Sequence, residues 1–351
     1  MAGAPDPIFS TNTLVQVVQN LKTAQTYFLD TYFPNIVEAE TEFVSIDVDV
    51  GKRRMSPFVS PLVEGRLVEA RRVQTNTFTP PYIKDKRAPD LLRPVRRQIG
   101  ERIGGSLSPR ERMEANLVFE MTDQVDMLKR RQEWMAAQAL LTGSITVTGD
   151  GFPSAVINFG RDPALTVALT GSAMWDASGS TAAPGTDFDL YSGTVLKKCG
   201  APPTDIIFTT TPWKYFIGDQ NVRNALWFPR AGETNSINLG SQIESGAQYK
   251  GRWGNYDLWL YNDWYVDDNN VEQRMIPDGV VLLGSKNLAG TRAYGIIKDP
   301  AFNYEPMAYA PKSWVQEDPA QRFLLMQSAP LVIPSRVNAF MALTVTQAKA
   351  S

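Results

Sequence analysis

The most regular pattern of apolar and polar positions lies between residues 108 and 141, where apolar residues recur at helical spacing. Ser108, Pro109 and Glu111 form a capping box at its start, with proline at the first helical position. Gly143 is the type of residue that ends helices in the left-handed conformation. The pattern therefore predicts a helix over 108–141, about 50 Å long.

Two further patterns precede this helix. Apolar residues at helical spacing from Thr11 to Phe33 predict a second helix, which Pro34 ends, and residues 44–50 alternate as a half-buried strand does. Prolines then restrict the extended chain and, from Thr77 onwards, exclude a central strand or a long helix. They are Pro57, Pro61, Pro80, Pro81, Pro89 and Pro94. We therefore interpret 44–95 as a long hairpin-like excursion that needs a partner surface, because its own apolar content is thin.

Downstream of the long helix, short strands and helices follow one another without a regular order. The charged run 129–133 interrupts the apolar stripe of that helix and is predicted to face solvent or a neighbouring subunit. Helices are predicted from about Asp187 and over Pro212–Asp219. Strands are predicted within 142–159 (two, around Gly149–Gly151), at 205–211, 256–266, 271–275, 279–283, 292–298, 313–315, 321–334 and 339–346. This mixture predicts an α+β fold.

Composition narrows the possible chemistry. Histidine is absent from the 351 residues, and Cys199 is the one cysteine. These counts exclude Ser-His-Asp and Cys-His catalysis, zinc sites that need histidine, and internal disulfides. Carboxylate pairs and lysine chemistry remain open. The glycine patterns of phosphate and dinucleotide sites are missing, so we expect no cofactor and no metal.

Targeting signals are also missing from the sequence. The longest apolar runs, such as Val280–Gly284, are too short to span a bilayer. The first residues lack the charged region and the apolar region of a signal peptide. We therefore expect the chain to be made in a cytoplasm and to have no membrane partner.

Charge is distributed unevenly along the chain. The net formal charge is −2, yet segment 51–102 has thirteen Lys/Arg and five Asp/Glu, so it carries +8 and the remainder −10. Opposite charges on different segments suit contacts between neighbouring copies, although solvated charge explains them equally well. The basic segment has no nucleic-acid-binding motif, so any contact with DNA is expected to be non-specific. The candidate subunit-interface residues are Arg53, Arg54, Arg66, Arg71, Arg72, Lys84, Lys86 and Arg87.

A second interpretation concerns Asp257 and Asp263, which bracket the aromatic residues Trp259, Tyr261 and Trp264. A carboxylate pair beside aromatic rings is typical of a carbohydrate-active enzyme. Alternating aromatic residues in strands more often pack across a hairpin, and we favour that interpretation. The enzyme alternative stays open because the sequence does not give the separation of the two carboxyl groups.

An ordered series of short motifs resembles the lambda-type major capsid protein E family of tailed phages. Each motif is weak alone, but together they follow the family's order and cover most of the chain from about residue 25 onwards. They are Phe58–Gly65, Phe78–Lys84, Trp134–Leu140 with Thr142–Gly143, Gly160–Arg161, Tyr249–Gly254, Ile276–Asp278, Leu283–Gly284, Arg292–Gly295, Asp318–Ala320 and Gln327–Leu331. The first 25 residues and 162–187 carry no such resemblance.

The resemblance implies the Hong Kong 97-type capsid fold and a shell subunit without catalytic residues. The implied parts are an N-terminal arm and helix at 1–43, an extended loop at 44–95, a peripheral domain at 96–159 and 299–351 with the spine helix 108–141, and an axial domain at 160–298. The implied partners are copies of the chain itself in pentamers and hexamers, a portal, a scaffold, a maturation protease and, in lambda-like members, a decoration protein. An encapsulin-like nanocompartment, which resembles the same fold, is the alternative within structural proteins.

Overall fold

The spine helix forms as its local signals require. It spans Pro109–Thr142 (α3), and its capping box is complete, because the Ser108 hydroxyl accepts from the Glu111 amide and the Glu111 carboxylate accepts from the Ser108 amide. Gly143 ends the helix with φ of +70°. The helix predicted over 108–141 is therefore confirmed.

The computed structural model describes residues 10–21, 26–49, 55–67, 73–89, 108–149, 152–227, 236–244, 246–267, 269–287, 289–318 and 321–347. The other helices in these ranges are α1 (Thr11–Asn20), α2 (Tyr27–Tyr32), α4 (Pro184–Cys199), α5 (Thr210–Gly218) and α6 (Gln220–Trp227). The strands are β1 (Asn35–Glu38), β2 (Val44–Asp49), β3 (Val73–Phe78), β4 (Ile83–Arg87), β5 (Ser144–Gly149), β6 (Phe152–Asn158), β7 (Thr166–Ala168), β8 (Asp205–Phe208), β9 (Ser236–Glu244), β10 (Ala247–Trp253), β11 (Tyr256–Tyr261), β12 (Trp264–Val266), β13 (Glu272–Arg274), β14 (Val280–Gly284), β15 (Thr291–Tyr294), β16 (Ala310–Gln316), β17 (Gln321–Ser328), β18 (Pro330–Ile333) and β19 (Met341–Thr344).

A seven-stranded mixed sheet of order β7-β19-β14-β8-β11-β10-β9 forms the centre of the chain. Its middle strands β8 and β14 are buried along their whole length. Alternate residues point to opposite faces. Ile206 and Phe208 therefore pack with α4 and α5, whereas Ile207 packs toward α2 and the second half of α3. The predicted peripheral segment 299–351 thus contributes its last strand, β19, to this sheet.

Smaller sheets lie along the spine helix. The sheet β16-β17-β4 packs with α1 against the first half of α3, through Leu14, Met121, Leu324 and Met326. A second three-stranded sheet has the order β1-β15-β18, in which β1 pairs with β15 in parallel. The hairpins β2–β3, β5–β6 and β12–β13 complete the sheets of the described residues.

The structure corrects the prediction of one helix from Thr11 to Phe33. Leu21 and Thr26 both have extended backbone angles, so α1 and α2 are separate helices. The start of α2 is set by a distant contact, because the Phe28 and Leu29 amides donate to the carboxylate of Glu133 on α3. Apolar spacing alone does not reveal such a break.

Two predicted strands are also divided between sheets. The predicted strand 256–266 becomes β11, which lies between β8 and β10, and β12, which pairs with β13. The predicted strand 321–334 becomes β17 and β18, which again lie in different sheets. In both cases the partner strands, and not the local pattern, decide where each strand ends.

The charged run 129–133 departs from its prediction in part. Arg130 and Arg131 are exposed, but Gln132 and Glu133 are buried at 2% and 1% exposure. The prediction that this run faces solvent or a neighbour is therefore wrong for these two residues, because they bond to other parts of the same chain. The Gln132 side chain accepts from the Tyr294 hydroxyl at 3.4 Å.

Candidate assembly surfaces

Among its described side chains, the hairpin β2–β3 contacts the core at its root. The two strands pair antiparallel from Val44 opposite Phe78 to Asp49 opposite Val73. Val44 is buried in the core, and the Phe78 ring packs edge-on against Phe159 with centroids 5.3 Å apart. Six residues at about 3.3 Å each place the far end of the paired strands about 20 Å from this root. The hairpin predicted within 44–95 is confirmed for its described residues.

The loop beyond the hairpin, 55–67, exposes large apolar side chains. Phe58, Leu62 and Leu67 are each at least 95% exposed, and Met55 is 87% exposed. Single apolar residues on a surface are ordinary, but a series within thirteen residues is the type of patch that marks an interaction site. In a single chain, the apolar side chains of the loop 55–67 are therefore left exposed to water.

The eight predicted interface residues fall into three groups. Arg66 is exposed within the loop 55–67, and Lys84 and Lys86 are exposed on the edge strand β4. The Lys86 ammonium lies 4.1 Å from the centroid of the Phe323 ring on β17. Arg53, Arg54, Arg71 and Arg72 lie outside the described residues.

Arg87 is engaged within its own chain. Its guanidinium lies 2.6 Å from the Asp123 carboxylate and 3.2 Å from that of Glu120, both on α3, and 3.1 Å from Asp85. These contacts hold β4 against the spine helix. A role for Arg87 between subunits stays a prediction, but its charge is already balanced by three carboxylates.

The strand β1 forms a second exposed surface, which the sequence patterns do not predict. All four of its residues are exposed, including Ile36 at 60% and Val37 at 47%. Phe43, five residues after the strand, is 49% exposed. Glu38, Glu40 and Glu42 accompany these apolar side chains and are exposed as well. We call Asn35–Glu38 together with Phe43 the β1 edge.

Glu133 holds the start of α2 from inside the core. Its carboxylate accepts from the Phe28 amide at 2.8 Å, the Leu29 amide at 3.0 Å and the Tyr261 hydroxyl at 3.2 Å. Burial, opposed by these hydrogen bonds, raises the pKa of Glu133 to about 7. Burial likewise raises the pKa of Tyr261 above its ordinary value. Sequence reasoning missed this group, because Glu133 stands at the end of the charged run 129–133, which resembles a solvated face.

Arg292 on β15 holds the other end of α2. Its guanidinium donates to the Phe33 carbonyl at 2.6 Å and the Leu29 carbonyl at 2.9 Å, and it pairs with Asp30 at 2.9 Å. A cation at the last carbonyls of a helix satisfies acceptors that have no partner within the helix. The six-residue helix α2 is therefore fixed at both ends.

The structure does not bring Asp257 and Asp263 into one site. Asp257 pairs with Lys286 at 3.0 Å, whereas Asp263 accepts from Tyr261 at 3.4 Å. The four residue steps from Asp257 to Tyr261 alone span about 13 Å of strand, beyond the carboxyl separation that glycoside hydrolysis uses. Trp259 packs against the core, as the favoured interpretation predicts.

Within the described residues, no group of three or more Cys, Asp and Glu side chains is placed to hold a metal ion. The helices of the same ranges include none with the length and apolar character needed to cross a membrane. The exposed apolar surfaces of the described residues include the loop 55–67 and the β1 edge.

Comparisons with known proteins identify the family of this chain. The family model described as phage major capsid protein E matches residues 10–345. The major capsid protein of Escherichia phage N15 is 27% identical over 340 residues, which cover 95% of this chain and 98% of that protein. The major capsid protein of Escherichia phage lambda is 28% identical over 320 residues, which cover 90% and 92%.

Solved structures share the fold. A capsid protein of a prophage from E. coli CFT073 superposes with a TM-score of 0.73 at 22% identity, covering 96% of this chain and 99% of that one. The capsid of Cyanophage P-SCSP1u gives a TM-score of 0.51 at 10% identity, covering 98% and 91%. The α+β, Hong Kong 97-type capsid fold that the sequence predicts is thereby confirmed.

Proposed function

Because this chain belongs to the phage major capsid protein E family, its function is that of a head-shell subunit, and we propose that its extended loop joins it to neighbouring copies. The observation that carries the proposal is the loop 55–67, whose large apolar side chains contact water in a single chain. Family and relatives favour this function over an encapsulin-like compartment or a carbohydrate-active enzyme.

The energy of such a contact comes mainly from apolar burial. Covering one large apolar side chain stabilises a contact by about 1.5–3 kcal/mol. Phe58, Leu62 and Leu67 begin almost fully exposed, so docking recovers nearly all of that amount for each. Interfaces of obligate assemblies bury on the order of 2,000 Å² or more, which an extended loop lying on a neighbour can supply.

The basic residues of the extended loop help to fix how two copies align at this contact. We infer that Arg53, Arg54, Arg66, Arg71 and Arg72 meet acidic positions on adjacent copies, because complementary charge selects orientation more than it adds affinity. Lys84 and Lys86, exposed on β4, belong to the same proposal. Their contribution is expected to fall as salt rises, since exposed charges are screened within about 10 Å at 0.1 M.

The experiment is a paired substitution, Phe58→Ser with Leu62→Ser. We expect soluble, folded subunits that fail to form shells, measured by sedimentation velocity and negative-stain electron microscopy. The matched control is Leu190→Ser on α4, which changes a residue of 64% exposure and is expected to leave assembly intact. Normal shells from the paired variant would refute the proposal.

The remaining partners are proposed from the family. We infer assembly in the host cytoplasm with a scaffold, a portal and a maturation protease, a decoration protein on the finished shell, and non-specific contact with packaged DNA. Expression of the chain alone tests the scaffold. Uniform closed shells without other phage proteins would count against that partner, and uniform shells that appear only on co-expression would support it.

A further inference from the structure

We propose that the β1 edge is the surface on which the loop 55–67 of a neighbouring copy docks. The inference rests on the proposed function of that loop and adds the acceptor. It is carried by three features of the described residues: an apolar edge strand without cover, complementary charge on its flank, and a hairpin that separates acceptor from loop.

The first feature is the exposed edge. β1 is the outer strand of the order β1-β15-β18, and within the described residues nothing pairs with its outer side. Soluble proteins usually protect edge strands with charge, proline or a covering element, because a free edge promotes association. Here the edge carries Ile36 and Val37, more than 45% exposed, with Phe43 beside it. Such an edge is suited to a partner that supplies apolar side chains.

The second feature is charge. Residues 31–50 contain five carboxylates and no Lys or Arg, whereas residues 51–72 contain six Lys/Arg and two Glu. Glu38, Glu40 and Glu42 are exposed next to the apolar edge, and Arg66 is exposed in the loop 55–67. Glu42 pairs with Lys298 at 2.6 Å, but within the described residues Glu38 and Glu40 form no ion pair. The loop 55–67 itself carries Glu64 and Arg66, and the other basic residues of 51–72 flank it in the sequence, so an acidic apolar edge is matched by an apolar loop with basic flanks.

The third feature is distance within one copy. The β1 edge adjoins the root of the hairpin, while the loop 55–67 follows its far end, about 20 Å of paired strand away. β2 pairs with β3 over all six residues, and the loop 55–67 follows the far end of this pairing in the sequence. Each copy thus offers a loop at one end and an acceptor at the other. Contacts between unlike surfaces join copies head to tail, and such contacts close into rings.

A charge exchange tests the match. Glu38→Lys with Glu40→Lys reverses the charge of the acceptor, and Arg53→Glu with Arg54→Glu reverses the charge of the basic segment that precedes the loop 55–67 in the sequence. We expect each pair alone to raise the subunit concentration needed for shells by about tenfold, and the four changes together to restore it to within about threefold. The control, Glu317→Lys with Asp318→Lys, alters exposed acids elsewhere and is expected not to rescue the loop variant.

The outcomes separate this inference from the proposed function. Loss of assembly in the loop variant with a harmless acceptor variant overturns the β1 edge as acceptor and leaves loop docking intact. Loss in both without mutual rescue also overturns the pairing. Normal assembly in both, together with normal assembly of Phe58→Ser with Leu62→Ser, overturns the inference and the proposed function alike.

Disulfide trapping gives a direct readout. In a Cys199→Ser background, which has no other cysteine, Val37→Cys and Leu62→Cys place one thiol on each proposed surface. Oxidised shells carrying both are expected to give a ladder of linked chains on a non-reducing gel. Mixed shells, in which each chain carries only one of the two cysteines, are expected to give dimers. Monomers alone in both cases would overturn the proposal.

Discussion

The helix α2 and the loop 55–67 are two short segments of one chain with opposite environments. Four of the six residues of α2 are buried, and both its ends are bonded to distant parts of the chain, through Glu133 and Arg292. The loop 55–67 exposes nearly all of its side chains, and among the described residues its hairpin contacts the core at the root. The first segment completes the subunit, whereas under the proposed function the second is completed by other subunits.

The difference teaches how to separate stability from assembly in such a chain. Buried groups with satisfied hydrogen bonds stabilise the isolated subunit, and their loss is felt before any shell forms. Exposed apolar groups add little to the subunit, because they are equally exposed when it unfolds. Substitutions in the two regions should therefore differ most in how much they change the free energy of unfolding of the isolated subunit.

The largest effect is expected from Glu133→Ala. The change leaves the Phe28 amide, the Leu29 amide and the Tyr261 hydroxyl without their acceptor in the core. We expect a loss of about 3–5 kcal/mol, since each unsatisfied buried donor costs about 1–3 kcal/mol. Urea unfolding of the subunit followed by circular dichroism measures it. A loss below about 1 kcal/mol would mean that α2 is held by packing alone.

The next effect is a pH dependence from the same carboxylate. The pKa of Glu133 is raised from 4.5 to about 7, so the folded state keeps its proton where the unfolded state has released it. The resulting stability is full below pH 4.5 and is lost as pH rises through about 7, by about 3 kcal/mol. Tyr261 and Asp263 face the same group. Unfolding of Glu133→Gln across this range should lack that component, and identical slopes would contradict the assignment.

A smaller loss is expected from Gly143→Ala at the end of the spine helix. Gly143 has φ of +70°, and an added Cβ would lie 2.4 Å from the Cβ of Arg161. Arg161 donates to the Leu140 carbonyl at 2.7 Å and the Leu165 carbonyl at 2.5 Å, so it cannot move freely. We expect a loss of about 2 kcal/mol. The matched control is Gly193→Ala within α4, where nothing lies within 4 Å, and a gain of about 0.5–1 kcal/mol is expected.

The smallest effect on this scale is expected from Phe58→Ser with Leu62→Ser. Both side chains are fully exposed in the folded subunit, so the free energy of unfolding should change by less than about 0.5 kcal/mol. The thermal midpoint of the isolated subunit checks it. A loss as large as that of Glu133→Ala would erase the contrast between the two regions and place the loop 55–67 inside the subunit's own fold.

Signals in the local sequence predicted those elements whose ends are set by neighbouring residues. The spine helix follows from its capping box and terminal glycine, and the strand β2 follows from strict alternation. The break between α1 and α2 could not be predicted, because it depends on Glu133, more than a hundred residues away in the sequence. The division of 256–266 into β11 and β12 likewise depends on which strands lie beside it.

The candidate surfaces were predictable only in part. Charge counts along the sequence indicated a basic loop, and proline content indicated that it extends from the core. The exposure of Ile36 and Val37 could not be predicted, since an apolar pair after a helix is equally compatible with burial. Arg87 is the opposite case, because it was predicted to lie at an interface but is engaged within its own chain. The sequence does not reveal that Asp85, Glu120 and Asp123 surround its charge.

The attachment of the hairpin through Val44 and the edge-on rings of Phe78 and Phe159 has a geometric consequence. In a shell of the pentamers and hexamers that the family resemblance implies, neighbours around a fivefold ring and a sixfold ring would differ in angle by about 12°, and identical chains would have to adapt to both. A turn of that size about the root moves the far end of the hairpin by about 4 Å. Aromatic rings in edge-on contact tolerate small rotations because no directional hydrogen bond fixes them. One rigid hairpin can thus keep the same docking contact in both rings by pivoting where it leaves the core.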